Sequence, residues 1–420
     1  MKLNKDEAIL FKQKALCWAA QFGVCMLLDN NFMENACQLH DIEWMLAAGV
    51  KRELKCNEGD AFERLKQFVE DSVGAVFGGL SYDLKNEIEK LSSLHSNGIQ
   101  FPEMYFFEPI HFLSIDKNGT ISGEKNLIQT INEFAVNGNV SELSVNLIER
   151  VHRDEYIKNV EHIRQHIIEG DVYELNYCVE FYAEDADIEP TYVYSRLKEK
   201  SPTPFAAFFK CYDKYLLCAS PERFLKKQSE QLFSQPIKGT IKRGNTFEED
   251  EHLKHELLHS IKERAENLMI VDLVRNDLAR SSKTGSVDVE ELFGIYSFKH
   301  VHQMISTVSS TIKPEVNFID AIKNAFPMGS MTGAPKISAM ELIEKYELTK
   351  RGLYSGAVGY ILPNADFDFN VVIRSVQYNQ ATKYLSYEVG SAITFDSDAV
   401  QEYEECLLKA KAIKDVLGVV

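Results

Sequence analysis

The chain has 420 residues, of which 45% are hydrophobic, 26% charged and 11% aromatic; 46 Lys plus Arg against 63 Asp plus Glu give a net charge of −17. At roughly 150 residues per domain this means two to three domains or one large mixed core, and the average globular composition argues against disorder, collagen and coiled coil. The acidic balance argues against a non-specific nucleic-acid binder, and no apolar run approaches the ~18–20 residues of a bilayer span.

The N-terminus alternates charged and apolar residues through Lys2, Lys5, Asp6, Glu7, Lys12 and Lys14, a pattern foreign to a signal peptide. Residues 1 to about 115 mix helical segments with short strand-like runs, among them Ala75 to Tyr82. Asp116-Lys117-Asn118-Gly119 reads as a turn between strands. Ile157, Val160, Ile163 and Ile167 mark a helix from Arg153 to Gly170, with the glycine as C-terminal cap. Strands are expected around 172–182, 205–209 and 215–219. One long helix follows over roughly 250–281, with Leu253, Leu257, Ile261, Ala265, Leu268 and Met269 on a stripe. Further strands are expected at 355–362, 369–377 and 384–393, and a helix from about 398 to 417 closes the chain. Without regular strand–helix alternation the fold class is α+β rather than a doubly wound parallel sheet. The eight cysteines (17, 25, 37, 56, 178, 211, 218 and 406) form no C-x-x-C pair and read as reduced core residues of a cytoplasmic protein.

Several segments could carry chemistry, and each has an ordinary alternative. Ser220-Pro221-Glu222-Arg223-Phe224 follows a strand. It is either a helix start, with Ser as N-cap and Pro at the first position, or a carboxyl held at an element end for acid–base work. Pro236-Ile237-Lys238-Gly239-Thr240 sets one lysine among apolar and glycine neighbours. It is either a solvated turn lysine or a desolvated amine of lowered pKa, free to act as nucleophile. Glu263/Glu266 and Glu402/Glu405 each share a helix face, and two such faces would form a hard-oxygen site suited to Mg²⁺. The spacing is weak by itself, since Glu248/Glu251 and Glu341/Glu344 repeat it. Lys409, four residues past Glu405, suits a plain i,i+4 salt bridge. Gly329 to Lys336 precedes a helix whose first position suits Pro335, so small residues could bring backbone N–H groups to a carboxylate; the Walker spacing is absent. Arg374, among Val371, Val372, Ile373 and Val376, needs a carboxylate from the protein or from a ligand. Gly390-Ser391-Ala392 sits on the neighbouring strand.

Taken in order, Ser220 to Phe224, Pro236 to Thr240, Glu266 to Leu273, Thr332-Gly333-Ala334-Pro335-Lys336 and Glu402-Tyr403-Glu404-Glu405 resemble the chorismate-binding enzymes, a family of anthranilate, aminodeoxychorismate, isochorismate and salicylate synthases. The likeness covers roughly 150–415 as a catalytic domain, and Gly79 to Leu84 resembles the N-terminal region of the anthranilate synthase component I type, here 1–120. It implies a large fold of mainly antiparallel sheets with helices outside. Lysine at 238, where anthranilate synthases usually have alanine, is typical of the aminodeoxychorismate synthase component I branch. Glu174 stands where the water-using relatives carry a catalytic lysine, against isochorismate and salicylate synthesis.

The resemblance then implies a transferase-type amination of chorismate to 4-amino-4-deoxychorismate, for 4-aminobenzoate and folate. Neutral Lys238 would attack C2 while Glu222 protonates the leaving C4 hydroxyl. Glu266 and Glu405 would bind Mg²⁺ directly, Glu263 and Glu402 through water. Thr332, Gly333, Ala334, Tyr360, Arg374, Gly390, Lys409, Gly239 and Thr240 would bind substrate. No G-x-C-x-G segment of a glutaminase is found, so ammonia is expected from a separate glutamine amidotransferase subunit. Anthranilate synthase component I and a non-catalytic chorismate-binding subunit are the alternatives. The chain departs from the family at Gln303, where relatives usually have histidine, a role that could pass to water or His302, and at Ser391 in a usually glycine-rich run.

Overall fold

The computed structural model describes residues 2–33, 42–57, 59–136 and 143–418; Cys37 lies outside them. Every pairing between strands among the described residues is antiparallel, in a large continuous sheet flanked by helices. Its middle is the long pair Ile42–Cys56 and Met104–Asp116. The expected turn at 116–119 lies beyond it, with Gly119 at φ +80° and its N–H donating to the Asp116 carbonyl at 2.9 Å.

Two arms extend from that middle. The first passes from Ile42–Cys56 through Val24–Asp29, Phe205–Cys211, Lys214–Ser220, Ser375–Asn379 and Tyr384–Ile393 to Glu174–Ala183, which also carries the short strand Gly333–Ala334. The second passes from Met104–Asp116 through Val76–Leu80, Ala357–Ile361, Phe367–Asn370, Arg223–Gln228 and Gln231–Gln235 to Val301–Thr311, flanked by Ile237–Lys242 and Asp288–Ser297. Strands from the first 120 residues thus share one sheet with those from 150 onward. Alternating apolar side chains such as Leu217, Val376, Tyr387 and Val389 bury the inner faces.

Two short crossovers join the arms. Pro221 and Glu222 link Lys214–Ser220 to Arg223–Gln228, so this segment is a strand-to-strand link and no helix start. Val371 to Arg374 link Phe367–Asn370 to Ser375–Asn379. The single strand expected over 369–377 is therefore two, because Arg374 takes φ +52° and breaks the extended run.

The helices follow the arms. Ala399–Leu417, capped by Asp398 and ended at Gly418, packs on Tyr384–Ile393 of the first arm and on the helix Arg153–Glu169, which ends as expected at Gly170 with φ +87°. The helix expected over 250–281 is two, Phe247–His259 and Ile261–Ala279, the second packed on Ile237–Lys242 and Val301–Thr311 of the other arm. Ser260 separates them by turning extended and accepting a hydrogen bond from Glu263 N at 3.3 Å as N-cap. The break resets the stripe. Ile261 and Leu268 are exposed, and Asn267, Ile270, Val271 and Val274 face inward instead.

Candidate active site

Lys238 comes from the second arm and meets the first. It lies on Ile237–Lys242, where the register slips between Ile237 and Thr240 and Gly239 takes φ +95°, a bulge rather than a solvated turn. Asn267 holds this backbone, its amide donating to the Lys238 carbonyl at 3.3 Å and to the Met304 carbonyl at 3.4 Å while Ser306 donates to its oxygen at 2.6 Å. The Lys238 side chain is 11% exposed, and its Nζ donates to Glu174 Oε1 at 2.6 Å. Glu174 belongs to Glu174–Ala183 of the first arm, is 1% exposed, and keeps Oε2 buried without a hydrogen-bond partner. The lowered pKa expected of this amine is not found. Burial pulls the Lys238 pKa down, but Glu174, Glu266 and Glu222 outweigh it and hold the ammonium charged.

Glu222, on the first crossover, is 4% exposed, and burial pushes its pKa up to about 7 against the pull of Lys238. The Ser330 hydroxyl lies beside it but outside hydrogen-bonding geometry. Arg374, on the second crossover, has no ion pair or side-chain hydrogen bond among the described residues, although burial lowers its pKa against the pull of Tyr354 and Glu405. Of the two partners open to it in the sequence, a protein carboxylate is not in contact. The two crossovers are tied: Val371 N donates to the Glu222 carbonyl at 3.0 Å, and Ala219 N to the Arg374 carbonyl at 3.1 Å.

The glutamate pairs reach the same place from opposite arms. Lys262, itself half exposed, feels Glu266, Glu402, Glu263 and Glu405 together. Burial pushes Glu266 up to about 7, assisted by Glu174 and Glu263, and raises Glu263, assisted by Glu405. Burial works the same way on Glu405, but Lys409, 2.7 Å from Oε1, holds it below the usual range. Lys409 thus makes the i,i+4 bridge and also donates to the Gly390 carbonyl at 2.9 Å. Glu402 accepts from the Ser391 hydroxyl, which gives the departure at Ser391 a partner. Among the described residues the group with three metal-type donor atoms within 4.8 Å of one another is instead His166, Glu169 and Asp171. Both ring nitrogens of that histidine are already engaged, by Asp171 at 2.7 Å and Tyr346 at 3.1 Å.

The glycine-rich loop closes against the same strand. Gly333 and Ala334 pair with Leu175 and Glu174, and a Cβ at Gly333 would stand 2.1 Å from the Glu174 carbonyl. Thr332 is fully buried and donates to the Met328 and Gly329 carbonyls at 3.2 and 3.3 Å. Pro335 is the N-cap of Lys336–Tyr346, one position before the expected one, and Lys336 is spent on Asp277 at 2.7 Å. Gly390 lies opposite Cys178, whose sulfur a Cβ there would meet at 2.5 Å. Thr240 is exposed beside the bulge, opposite Gln303, whose buried Oε1 lacks a partner.

Two expected residues lie elsewhere. Tyr360 packs on Phe77 and lines a separate cavity with Asp29, Trp44, Phe205 and Asp368, because its strand turns this side chain toward the N-terminal segment. His302 is fully buried between Asp250 at 2.9 Å and Ser297 at 2.9 Å, so it cannot stand in for a histidine at 303. Two residues were missed. Tyr354 is buried, receives the Cys178 thiol at 3.8 Å and acts electrostatically on Arg374. Arg351 donates to the Met331 carbonyl at 2.7 Å and the Asn176 carbonyl at 2.9 Å, bracing the loop against the strand. The signal for both was Arg351-Gly352-Leu353-Tyr354, which precedes Gly356 and the run to Arg374.

The chorismate binding enzyme family matches residues 25–415. The chain belongs to the chorismate-binding enzymes. It is 41% identical over 303 residues to a probable chloroplastic aminodeoxychorismate synthase of Oryza sativa subsp. japonica, covering 71% of this chain and 32% of that protein. It is 33% identical over 375 residues to aminodeoxychorismate synthase component 1 of Bacillus subtilis (strain 168), covering 83% and 77%. The chain thus spans about a third of the plant relative and three quarters of the bacterial one. Anthranilate synthase component I from Streptococcus pneumoniae TIGR4 superposes with a TM-score of 0.78 at 26% identity, covering 90% of this chain and 93% of that one. The α+β class with its antiparallel sheet is that of this family. Among the described residues no helix is long and apolar enough to cross a membrane.

Proposed function

We propose that this chain aminates chorismate at C4 to 4-amino-4-deoxychorismate, the aminodeoxychorismate synthase component I reaction that leads to 4-aminobenzoate and folate. The observation that carries it is Lys238, a lysine where the anthranilate-forming branch has alanine, buried within reach of a carboxylate and facing the site shared by Glu222. Arg374 would take a chorismate carboxylate, the ligand its unpaired guanidinium calls for. Gly390, Gly333 and Ala334 would let backbone approach the substrate, with Thr332, Gly239, Thr240 and Lys409 around it. Glu222, with a pKa of about 7, can be protonated at working pH and so donate to the C4 hydroxyl as it leaves. Lys238 would form the covalent link at C2, splitting one displacement into two.

The four glutamates fit Mg²⁺. They are an all-oxygen set, and burial raises Glu266, assisted by Glu174 and Glu263, and raises Glu263, assisted by Glu405, a strain that a cation relieves. Glu266 and Glu405 would bind it directly, Glu263 and Glu402 through water. When bound, the ion would neutralise the ring carboxylate and draw electron density from the ring. Ammonia would come from a separate glutamine amidotransferase subunit. The seven described cysteines, all free, suit the cytoplasm.

The test is purified protein with chorismate, Mg²⁺ and ammonium, followed by mass and fluorescence. A product that yields 4-aminobenzoate on adding the matching lyase supports the reading. Direct release of fluorescent anthranilate would assign the chain to the other branch, and no turnover would make it a binding subunit.

A further inference from the structure

A charged lysine is no nucleophile, so the proposed reaction needs an acceptor for one proton of Lys238. We propose that Glu174 is that acceptor, holding the lysine's proton through the life of the covalent intermediate and returning it when the lysine leaves. This inference rests on the covalent reading above.

The geometry singles out Glu174. Five carboxylates face Lys238, namely Glu174, Glu266, Glu222, Glu263 and Glu405. Only Glu174 is in contact, at 2.6 Å; the other four lie beyond ion-pair distance. In the proposed reaction Glu222 must already carry the proton for the leaving hydroxyl, and Glu266, Glu263 and Glu405 are given to the metal. Glu174 itself is faced by Lys238 and Glu266. Its buried Oε2 has no partner, so a proton received on Oε1 can be carried without breaking another bond. The backbone of Glu174 is clamped by Ala334, whose carbonyl accepts from Tyr173 N at 2.6 Å, which fixes the carboxyl relative to the substrate loop.

The protons close over one cycle. Lys238 gives one proton to Glu174, and its freed electron pair forms the N–C2 bond. Both ring double bonds shift, C1=C2 to C1=C6 and C5=C6 to C4=C5, and the C4–O bond breaks, the oxygen taking the Glu222 proton to leave as water. Ammonia then attacks C4, both double bonds shift back, and the C2–N bond breaks with its electron pair returning to Lys238. Glu222 takes a proton from the new C4 ammonium, and Lys238 recovers its own from Glu174. The sum is chorismate plus ammonia giving 4-amino-4-deoxychorismate plus water, with every enzyme group restored.

The experiment follows the lysine adduct, chorismate less water, by intact mass after mixing enzyme, Mg²⁺ and chorismate without ammonium. Glu174→Gln keeps the shape and the hydrogen-bond acceptor but cannot take a proton. Lys238 must then deprotonate to water, so adduct formation should fall about 10²-fold and climb about tenfold per pH unit up to about 7, above which loss of the Glu222 proton offsets the gain. Glu174→Asp should recover part of the rate, and formate should rescue Glu174→Ala. A Glu174→Gln variant with the wild-type rate and pH profile overturns the proposal. So does a loss that is equal at every pH and unmoved by formate, which marks a merely structural residue. If the wild type forms no adduct, the covalent reading itself fails, an outcome separate from these.

Discussion

Two buried lysines of this molecule sit among carboxylates and end up with opposite characters. Lys12, 6% exposed, donates to Asp29 at 2.8 Å and Glu43 at 2.6 Å. Lys198 takes the other oxygen of Asp29, and Glu43 also accepts from Phe32 N at 2.9 Å and Asn30 at 3.4 Å. Every carboxylate oxygen there has a partner. Burial pushes Asp29 up, yet the two lysines hold it well below the usual range. Around Lys238 the accounts stay open: Glu174 keeps an unpaired oxygen, and Glu222 and Glu266 rest near 7. A satisfied network of buried charges serves structure, while an under-satisfied one keeps groups ready to exchange protons and ligands.

The comparison breaks most sharply by deleting each lysine. Lys238→Ala should lower amination by about 10³-fold or more, since a nucleophile is lost, and should also cost folding free energy, because buried Glu174 is left without its cation. Lys12→Ala should leave turnover per folded molecule almost intact but cost about 3–5 kcal/mol of folding free energy, because buried Glu43 loses its cation and buried Asp29 one of its two. Chorismate consumption and urea denaturation of both variants decide this, and exchanged outcomes would refute the contrast. Next comes Glu222→Gln. The proposed reaction uses the protonated acid, so the wild-type rate should fall as pH rises through about 7; the variant should lose about 10²–10⁴-fold and show no such limb. Arg374→Ala removes one charge-assisted contact, about 1.5–3 kcal/mol, and should raise the chorismate KM roughly 10- to 150-fold more than it lowers kcat. Smallest is Ser391→Ala, which frees Glu402 of its hydroxyl partner. Losing one hydrogen bond of about 0.5–1.5 kcal/mol should shift the Mg²⁺ concentration for half activation by roughly 2- to 10-fold.

Local pattern carried the regular parts of the fold. The strand Tyr384–Ile393 and the closing helix Ala399–Leu417 announce themselves by alternation and by end caps. The failures fall where one residue changes the backbone. Ser260 looks like an interior helix residue until its hydroxyl is seen capping Glu263 N. Val371 to Ile373 read as a strand because nothing apolar there betrays the φ of +52° at Arg374. Within the site, motif spacing located Lys238, Glu222 and the glutamate pairs. It could not disclose the charge on Lys238, because the deciding partner lies 64 residues away in sequence. Tyr360 came from the family resemblance, while Tyr354, six residues earlier, is the tyrosine coupled to Arg374.

The tied crossovers set the acid and the guanidinium on a common hinge pin. Sliding one half of the sheet past the other would move both at once, so their spacing tolerates breathing of the molecule. A circular permutant opened at residue 221 keeps every strand yet cuts one of the two links. On the proposed reaction its KM and kcat should then drift apart, because Arg374 and Glu222 no longer move together.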